Sequence, residues 1–294
     1  MPIRPRTLAN GRYTLDAEVG VGGMGAVFRA IDHRDDAVRA IKLLSPGLAR
    51  STMVRERFRR EAAILARLQH PNIVKVHAFE DEGGVAYLVM DYVDGGSLKD
   101  WVVRNGPMPA RMACEILLDV CSALEATHAA GMVHRDVKPA NLLIASDASC
   151  RVVDFGIARL DTPSNLTRQG VKMGTIGFMA PEQQVSAHDV DHRADIFGLG
   201  ATLYALLTGQ VPADMQRALE HHYDLLPDPV AYLITKATFP LPEQRYDSIQ
   251  ALARVLESAT ERLPPIPART PSLYEPVHSA TASQVTGPTI VFED

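Results

Sequence analysis

Eight consecutive residues, His134-Arg135-Asp136-Val137-Lys138-Pro139-Ala140-Asn141, put two base or metal-ligand candidates, two cations and an imidazole into one short stretch. Asp154-Phe155-Gly156 begins thirteen positions beyond Asn141. Two carboxylates, an amide and a lysine are the groups needed to place two metal ions and a hydroxyl around a phosphate. The oxygens suit hard divalent cations, the ammonium offsets phosphate charge, and a carboxylate can orient an O–H. Such groups act only when rigid elements hold them within reach of one another.

The pattern supplies those elements. Leu142–Ala145 and 151–153 read as short strands flanking the polar stretch. Before it, Pro109–Ala130 has Ala113, Leu117, Val120, Cys121, Leu124 and His128 on one helical face and Gly131 as its stop. Ser97–Arg104, Asp195–Leu207, Asp228–Ala237 and Ser248–Thr260 read as further helices. The chain upstream of Asp94-Gly95-Gly96-Ser97 differs. Alternation from Tyr13, the strand Ala26–Ile31, the turn at Arg34-Asp35-Asp36 and the strand Val38–Leu43 predict an antiparallel arrangement. Over Val54–Leu68 the period becomes helical, with Phe58, Glu61, Ala62, Leu65 and Leu68 on one face. Ile73–Phe79 and Val85–Met90 complete an expected five-stranded sheet with one helix.

Composition narrows the function classes. The 294 residues are 46% hydrophobic and 22% charged, ordinary globular values, and suffice for two lobes with a sizeable core. A net charge of −5 and a pI near 6.1 argue against a nucleic-acid module. Cys114, Cys121 and Cys150 are too few and unclustered for a disulfide framework or a metal ligand set, which fits a reduced cytoplasmic setting. The N-terminal segment lacks a signal-peptide pattern, and no apolar run approaches the ~18–20 residues of a membrane span. Neither a signal peptide nor a transmembrane segment is expected.

Gly20-Val21-Gly22-Gly23-Met24-Gly25-Ala26-Val27 matches G-x-G-x-x-G-x-V. Without Cβ atoms such a segment can fold over phosphates and aim N–H groups at them. By itself it is weak, since hairpin turns and dinucleotide folds share it. Here it lies between two strands, whereas the dinucleotide fingerprint opens a helix. No Lys-Ser/Thr follows, so it is not a Walker loop. Lys42 in Ala40-Ile41-Lys42 is either a solvated strand residue or, paired with Glu61, a phosphate ligand.

Taken together, the glycine loop, Ala40-Ile41-Lys42, Glu61, His134–Asn141, Asp154-Phe155-Gly156 and Ala180-Pro181-Glu182 resemble the eukaryotic-like (Hanks-type) serine/threonine protein kinases of bacteria, over roughly residues 12–261. The resemblance implies an α+β bilobal fold: an antiparallel β N-lobe (12–90), a hinge (91–94) and a mainly α-helical C-lobe (95–261). Residues 1–11 would be a leader and 262–294 a Pro/Ser/Thr-rich tail, mobile or extended. It implies ATP-dependent phosphorylation of Ser/Thr on proteins, with Mg2+ or Mn2+.

The implied roles follow motif by motif. Asp136 would orient the acceptor hydroxyl and take its proton, and Lys138 would neutralise the γ-phosphate. Asn141 and Asp154 would hold the metal ions. Gly20, Val21, Gly22, Gly23, Met24 and Gly25 would cover the phosphates. Lys42, paired with Glu61, would hold them. Val27, Ala40 and Leu143 would sandwich the adenine, with Met90, Asp91 and Val93 along its edge. His134 would pack, Asp195 would brace the catalytic loop, and Arg245 would pair with Glu182.

By the same resemblance, Arg135 before Asp136 implies a switch by phosphorylation in 159–174, with Thr167 favoured over Thr162 and Ser164. Protein substrates, a homodimer for autophosphorylation and a phosphothreonine-reading domain are the implied partners, in signalling. The Thr-rich tail reads either as a linker or as a docking strip for that reader. Residues 210–226 look shortened for the family, which bears on docking. Two rivals stand beside this reading. A non-catalytic scaffold would lack Lys42, Asp136 or Asn141, and none is missing. A small-molecule kinase would lack Lys138 and Ala180-Pro181-Glu182.

Overall fold

The computed structural model describes residues 7–22, 25–82, 84–155, 177–185, 190–211 and 214–276. The chain divides into two compact units, Met1–His70 with Val74–Val93, and Pro71–Ile73 with Asp94–Asp294.

The first unit is an antiparallel sheet of β1 (Thr7–Leu8), β2 (Tyr13–Gly22), β3 (Gly25–Asp32), β4 (Ala37–Leu44), β5 (Val76–Glu82) and β6 (Val85–Asp91), in the order β1-β2-β3-β4-β6-β5. Six strands replace the expected five. Thr7–Leu8, within the expected leader, pair with Thr14 and Tyr13 across a turn of left-handed residues Ala9, Asn10 and Gly11. A two-residue strand is too short to leave an alternation signal. Two helices accompany the sheet, α1 (Pro46–Ala49) and α2 (Thr52–Arg67), the latter capped by Ser51. α2 buries Phe58, Ala62 and Leu65, and the Phe58 and Phe79 rings stack with centroids 6.2 Å apart.

Register explains which side chains share a face. Val27 lies opposite Lys42, Lys42 opposite Leu88, and Ala40 opposite Met90. Paired residues point the same way and neighbours along a strand alternate. Val27, Ala40, Lys42, Leu88 and Met90 therefore occupy one face. The intervening residues Ala26, Phe28, Ala30, Ile41, Leu43, Tyr87 and Val89 form the buried cluster on the other, with Leu8 and Tyr13.

The second unit contains α3 (Leu98–Asn105), α4 (Ala110–Ala129), β7 (Leu142–Ile144), β8 (Cys150–Val152), α5 (Pro181–Val185), α6 (Arg193–Thr208), α7 (Met215–His222), α8 (Asp228–Ala237) and α9 (Ile249–Arg262). Ser97 and Asp100 form a capping box on α3, and Ser248 caps α9. α6 is buried from Ala194 through Leu206 and packs against α4, α8 and α9. In the segment that reads as shortened, α7 is a two-turn helix capped by Asp214. Ile73, expected in a strand of the sheet, instead bridges Val152, and Val152 N–H donates to Asn72 O at 2.8 Å. Residues 264–276 form neither helix nor strand. No helix among the described residues is long and apolar enough to cross a membrane. The three cysteines are buried without disulfides, and burial pushes the Cys114 thiol up to about 12 and those of Cys121 and Cys150 higher. That environment suits packing residues.

Among the described glycines of the 20–25 loop, Gly25 alone is locked by its surroundings. Its φ is +146°, and a Cβ there would stand 1.8 Å from Leu43 O; a Cβ on Gly20 or Gly22 meets nothing within 4 Å. Gly25→Ala should destabilise the chain by at least about 2 kcal/mol, lowering Tm by roughly 5 °C or more. Gly22→Ala should leave Tm within about 2 °C. Thermal unfolding of the two variants side by side checks this, and equal losses would contradict it.

Candidate active site

In the second unit, the 3-10 turn Pro139–Asn141 delivers the polar stretch directly into β7. Asp136 is 9% exposed, and its Oδ2 lies 3.0 Å from Lys138 Nζ and 3.0 Å from Asn141 Nδ2. Asn141 Nδ2 also donates to Asp136 O at 2.8 Å. With the amide nitrogen held on the Asp136 side, the Asn141 carbonyl oxygen is turned the other way. Asp136, Lys138 and Asn141, which sequence reading grouped, thus form one cluster.

His134 links this cluster to the Asp154 segment. The ring is fully buried. Its Nε2 lies 2.9 Å from Val153 O, and Asp136 N–H donates to its Nδ1 at 3.2 Å. One nitrogen must donate and the other accept, so the imidazole is neutral. Burial likewise holds its pKa below the ordinary value of 6.5, against the opposing pull of Asp195 and Asp136. Val153 N–H donates to Asn141 O at 3.0 Å. Val153 is therefore pinned on both sides, and Asp154 follows it with φ +56°. A left-handed non-glycine residue costs energy and persists only where its neighbours impose it. The Phe155 ring packs 4.5 Å from the His134 ring.

One carboxylate braces the loop from below. Asp195, 1% exposed on the first turn of α6, accepts His134 N–H at 2.9 Å and Arg135 N–H at 2.6 Å, and lies 2.8 Å from His128 Nε2. Arg135 has φ +65°, the loop's second left-handed residue. Its carbonyl accepts from Gln183 Nε2 at 2.9 Å, and its own Nη2 donates to Val190 O at 3.1 Å. Gln183 escaped sequence reading. A glutamine just after Ala180-Pro181-Glu182 carries no pattern that marks a partner 48 residues away.

Glu182 and Arg245 meet as expected, in a bidentate pair at 2.6 and 2.7 Å. The remaining Arg245 donors reach the carbonyls of Phe239, Arg193 and Pro240 at 2.8, 3.0 and 3.0 Å. All five guanidinium donors are used, so the buried charge is fully solvated by protein.

In β7, Leu142 and Ile144 are buried while Leu143 between them is half-exposed, on the face away from the helical core. In the first unit, Lys42 is 8% exposed on the face shared with Val27, Ala40 and Met90. Glu61 sits on α2, where Arg57 Nε donates to it at 2.9 Å. Asp91 accepts from the His77 ring, and its own N–H donates to Lys75 O at 3.0 Å. Gly20, Val21 and Gly22 end β2, Gly25 starts β3, and Val93 is half-buried. Gly23, Met24, Thr162, Ser164 and Thr167 lie outside the described residues.

Among the described residues no three His, Cys, Asp or Glu side chains gather into a protein-only metal cage. A magnesium site needs none, since one or two protein oxygens complemented by phosphates and water suffice. The oxygen donors of Asn141 and Asp154 fit such an ion.

The protein kinase domain family matches residues 13–262, and the chain belongs to it. Its sheet unit and helical unit are the two lobes of that α+β fold. Serine/threonine-protein kinase PknB of Mycolicibacterium smegmatis is 39% identical over 258 residues, covering 81% of this chain and 41% of that protein. Serine/threonine-protein kinase PknL of Mycobacterium tuberculosis is 34% identical over 270 residues, 87% of this chain and 67% of the relative. A crystal structure of the Mycobacterium tuberculosis PknI kinase domain superposes with a TM-score of 0.70 at 29% identity, covering 87% of this chain and 99% of that one. The chain thus spans about two fifths of the PknB relative, 41% of its length.

The neutral, buried His134 makes stability depend on pH. Below its ordinary value of 6.5 the unfolded chain takes up a proton that the native site refuses. Unfolding free energy should then fall as the pH is lowered through 6.5, by up to about 1.4 kcal/mol per unit from this group. His134→Asn should be less stable at pH 7.5 and lose this slope. The gap to wild type should therefore narrow toward pH 5.5 in urea unfolding, and parallel curves would contradict the assignment.

Proposed function

We propose that this chain transfers the γ-phosphoryl group of ATP to Ser and Thr hydroxyls of proteins, itself included. The observation that carries the reading is the Asp136–Lys138–Asn141 cluster, held by Asp195 and coupled through His134 to the residue before Asp154. In this reading Asp136 orients the acceptor hydroxyl and takes its proton. Lys138, 3.0 Å from Asp136, reaches the same point with positive charge for the phosphate. Asn141 and Asp154 hold divalent cations, Mg2+ or Mn2+, which supply charge neutralisation at the phosphate oxygens. Phosphoryl transfer asks mainly for positioning and electrostatic stabilisation, which suits a cluster whose members are each fixed by hydrogen bonds.

Lys42 takes the α/β-phosphates. An ammonium so little exposed needs anionic company, and Glu61 is its proposed partner. The backbone of residues 20–25 covers the phosphates. Val27, Ala40 and Leu143 enclose the adenine beside Met90, Asp91 and Val93. That four of these apolar or cationic positions share one sheet face, away from the buried cluster, supports the assignment. The kinase domain proper is taken as residues 12–261, with hinge 91–94.

The regulatory part of the proposal is autophosphorylation at Thr167, with Thr162 and Ser164 as secondary sites, in a homodimer and in cytoplasmic signalling. A phosphothreonine-reading domain is the proposed downstream partner.

With wild type, transfer from labelled ATP to a protein acceptor and to the chain itself is expected. Asp136→Asn should lower the rate about a hundredfold or more. Transfer in neither protein would sink the enzymatic reading in favour of a scaffold, and transfer only to small molecules would sink the protein-substrate reading. Thr167→Ala should lose the main phosphosite by mass spectrometry and several-fold in activity; full activity would overturn its regulatory role.

A further inference from the structure

The tail just beyond the helical core is seated on the unit. The indole N–H of Trp101, a residue 2% exposed on α3, donates to Ser272 O at 2.9 Å. One turn on, Arg104 is ion-paired with Glu275. Between these anchors, Tyr274 OH donates to Asp94 Oδ2 at 2.9 Å, and that bond raises the phenol above its ordinary pKa. The ring lies against Gly95, where a Cβ would come within 2.8 Å of Tyr274 Cδ2 and 2.1 Å of Ile144 O. Gly95 is thus squeezed between the tyrosine ring and β7. The turn it belongs to is bonded to the same strand: Ile144 N–H donates to Gly96 O at 2.9 Å, and Ser97 bridges Leu143.

We propose that residues 272–275 are an intramolecular strap, and that Tyr274 is a positioning residue which holds the Asp94–Ser97 turn against β7 and thereby tightens nucleotide binding. The inference rests on the reading of Leu143 and Asp91–Val93 as nucleotide contacts. Asp94 follows directly on Val93 in the chain, and Leu143 sits in the strand to which the turn is bonded. A turn clamped from outside holds Leu143 and the Asp94–Ser97 turn in one arrangement; a released turn must be ordered by the ligand, at a cost in affinity. Asp136, Lys138 and Asn141 are braced by one another and by His134. The strap therefore governs nucleotide affinity and leaves the chemical step alone. It also makes residues past 262, where the family match ends, a working part of the domain. Trp101 needs it as well, since removal would leave a buried donor unpaired.

The 294-residue chain carries its own reporter, because Trp101 is its single tryptophan. In Tyr274→Ala/Glu275→Arg, emission should shift to the red and acrylamide quenching should rise; unchanged emission would overturn the docked strap. The Kd of the β,γ-imido analogue of ATP with Mg2+, measured by calorimetry, should rise about three- to tenfold in Tyr274→Ala. Tyr274→Phe, which keeps the ring on Gly95 and drops the Asp94 bond, should fall between it and wild type, and guards against a folding loss. At saturating ATP, kcat should stay within about twofold of wild type. A released tryptophan with unchanged nucleotide Kd would overturn the positioning role, as would a wild type that binds no nucleotide. A wild type that binds nucleotide without transferring phosphate would sink the kinase reading while the fluorescence and Kd comparisons still judge the strap.

Discussion

The Asp195 carboxylate is the constraint on which the active-site half of the molecule turns. Two consecutive backbone N–H groups, His134 and Arg135, converge on its two oxygens at 2.9 and 2.6 Å. Adjacent amides aim at one acceptor group only if the chain leaves ordinary helix or strand geometry, and Arg135 does so with φ +65°. The charge-assisted bonds offset that conformational cost. Because Asp195 is buried in the first turn of α6, and α6 packs against α4, α8 and α9, the strained loop inherits the rigidity of the helical core.

From that anchor the cluster is assembled in steps that each satisfy a buried group. His134 spends one nitrogen on Asp136 N–H and the other on Val153 O, so its ring ties the loop to the strand end carrying Asp154. Asn141 spends its amide hydrogens on Asp136 and its carbonyl main-chain oxygen on Val153 N–H. The same bonds that satisfy the interior also space Asp136, Asn141 and Asp154. Positioning and stability are therefore one set of contacts, and substituting the scaffold residues should disturb both together, in contrast to Lys138, which is partly exposed and bonded at its charged end.

Local pattern carried most of the fold. Long periodic segments such as α4 and α6 fall within a few residues of where apolar spacing puts them, because a helix that buries one face must repeat its apolar positions. What failed was short or decided at long range. Thr7–Leu8 becomes a strand only because a turn brings it onto Tyr13 and Thr14. Ile73 looks like the start of β5 but finds its partner in Val152, far along the chain. At the site, Glu182 and Arg245 were legible through motif resemblance. Gln183 and Tyr274 were not, since the partners of both, Arg135 O and Asp94, are set by tertiary approach and leave no spacing rule in the chain.

Arg135 then takes on a meaning its position before Asp136 alone does not convey. Its N–H is held by Asp195, its carbonyl by Gln183 and its guanidinium by Val190 O. The residue is located by the core, by α5 and by Val190. Glu182, next to Gln183, is fixed through Arg245, whose five donors are all engaged. α5 is thus tied at one residue to the core and at the next to the catalytic loop. A phosphate on Thr167 would not need to move Arg135 into place. Its effect would be electrostatic, offsetting a cation that sits one residue from Asp136, the carboxylate proposed to receive the proton.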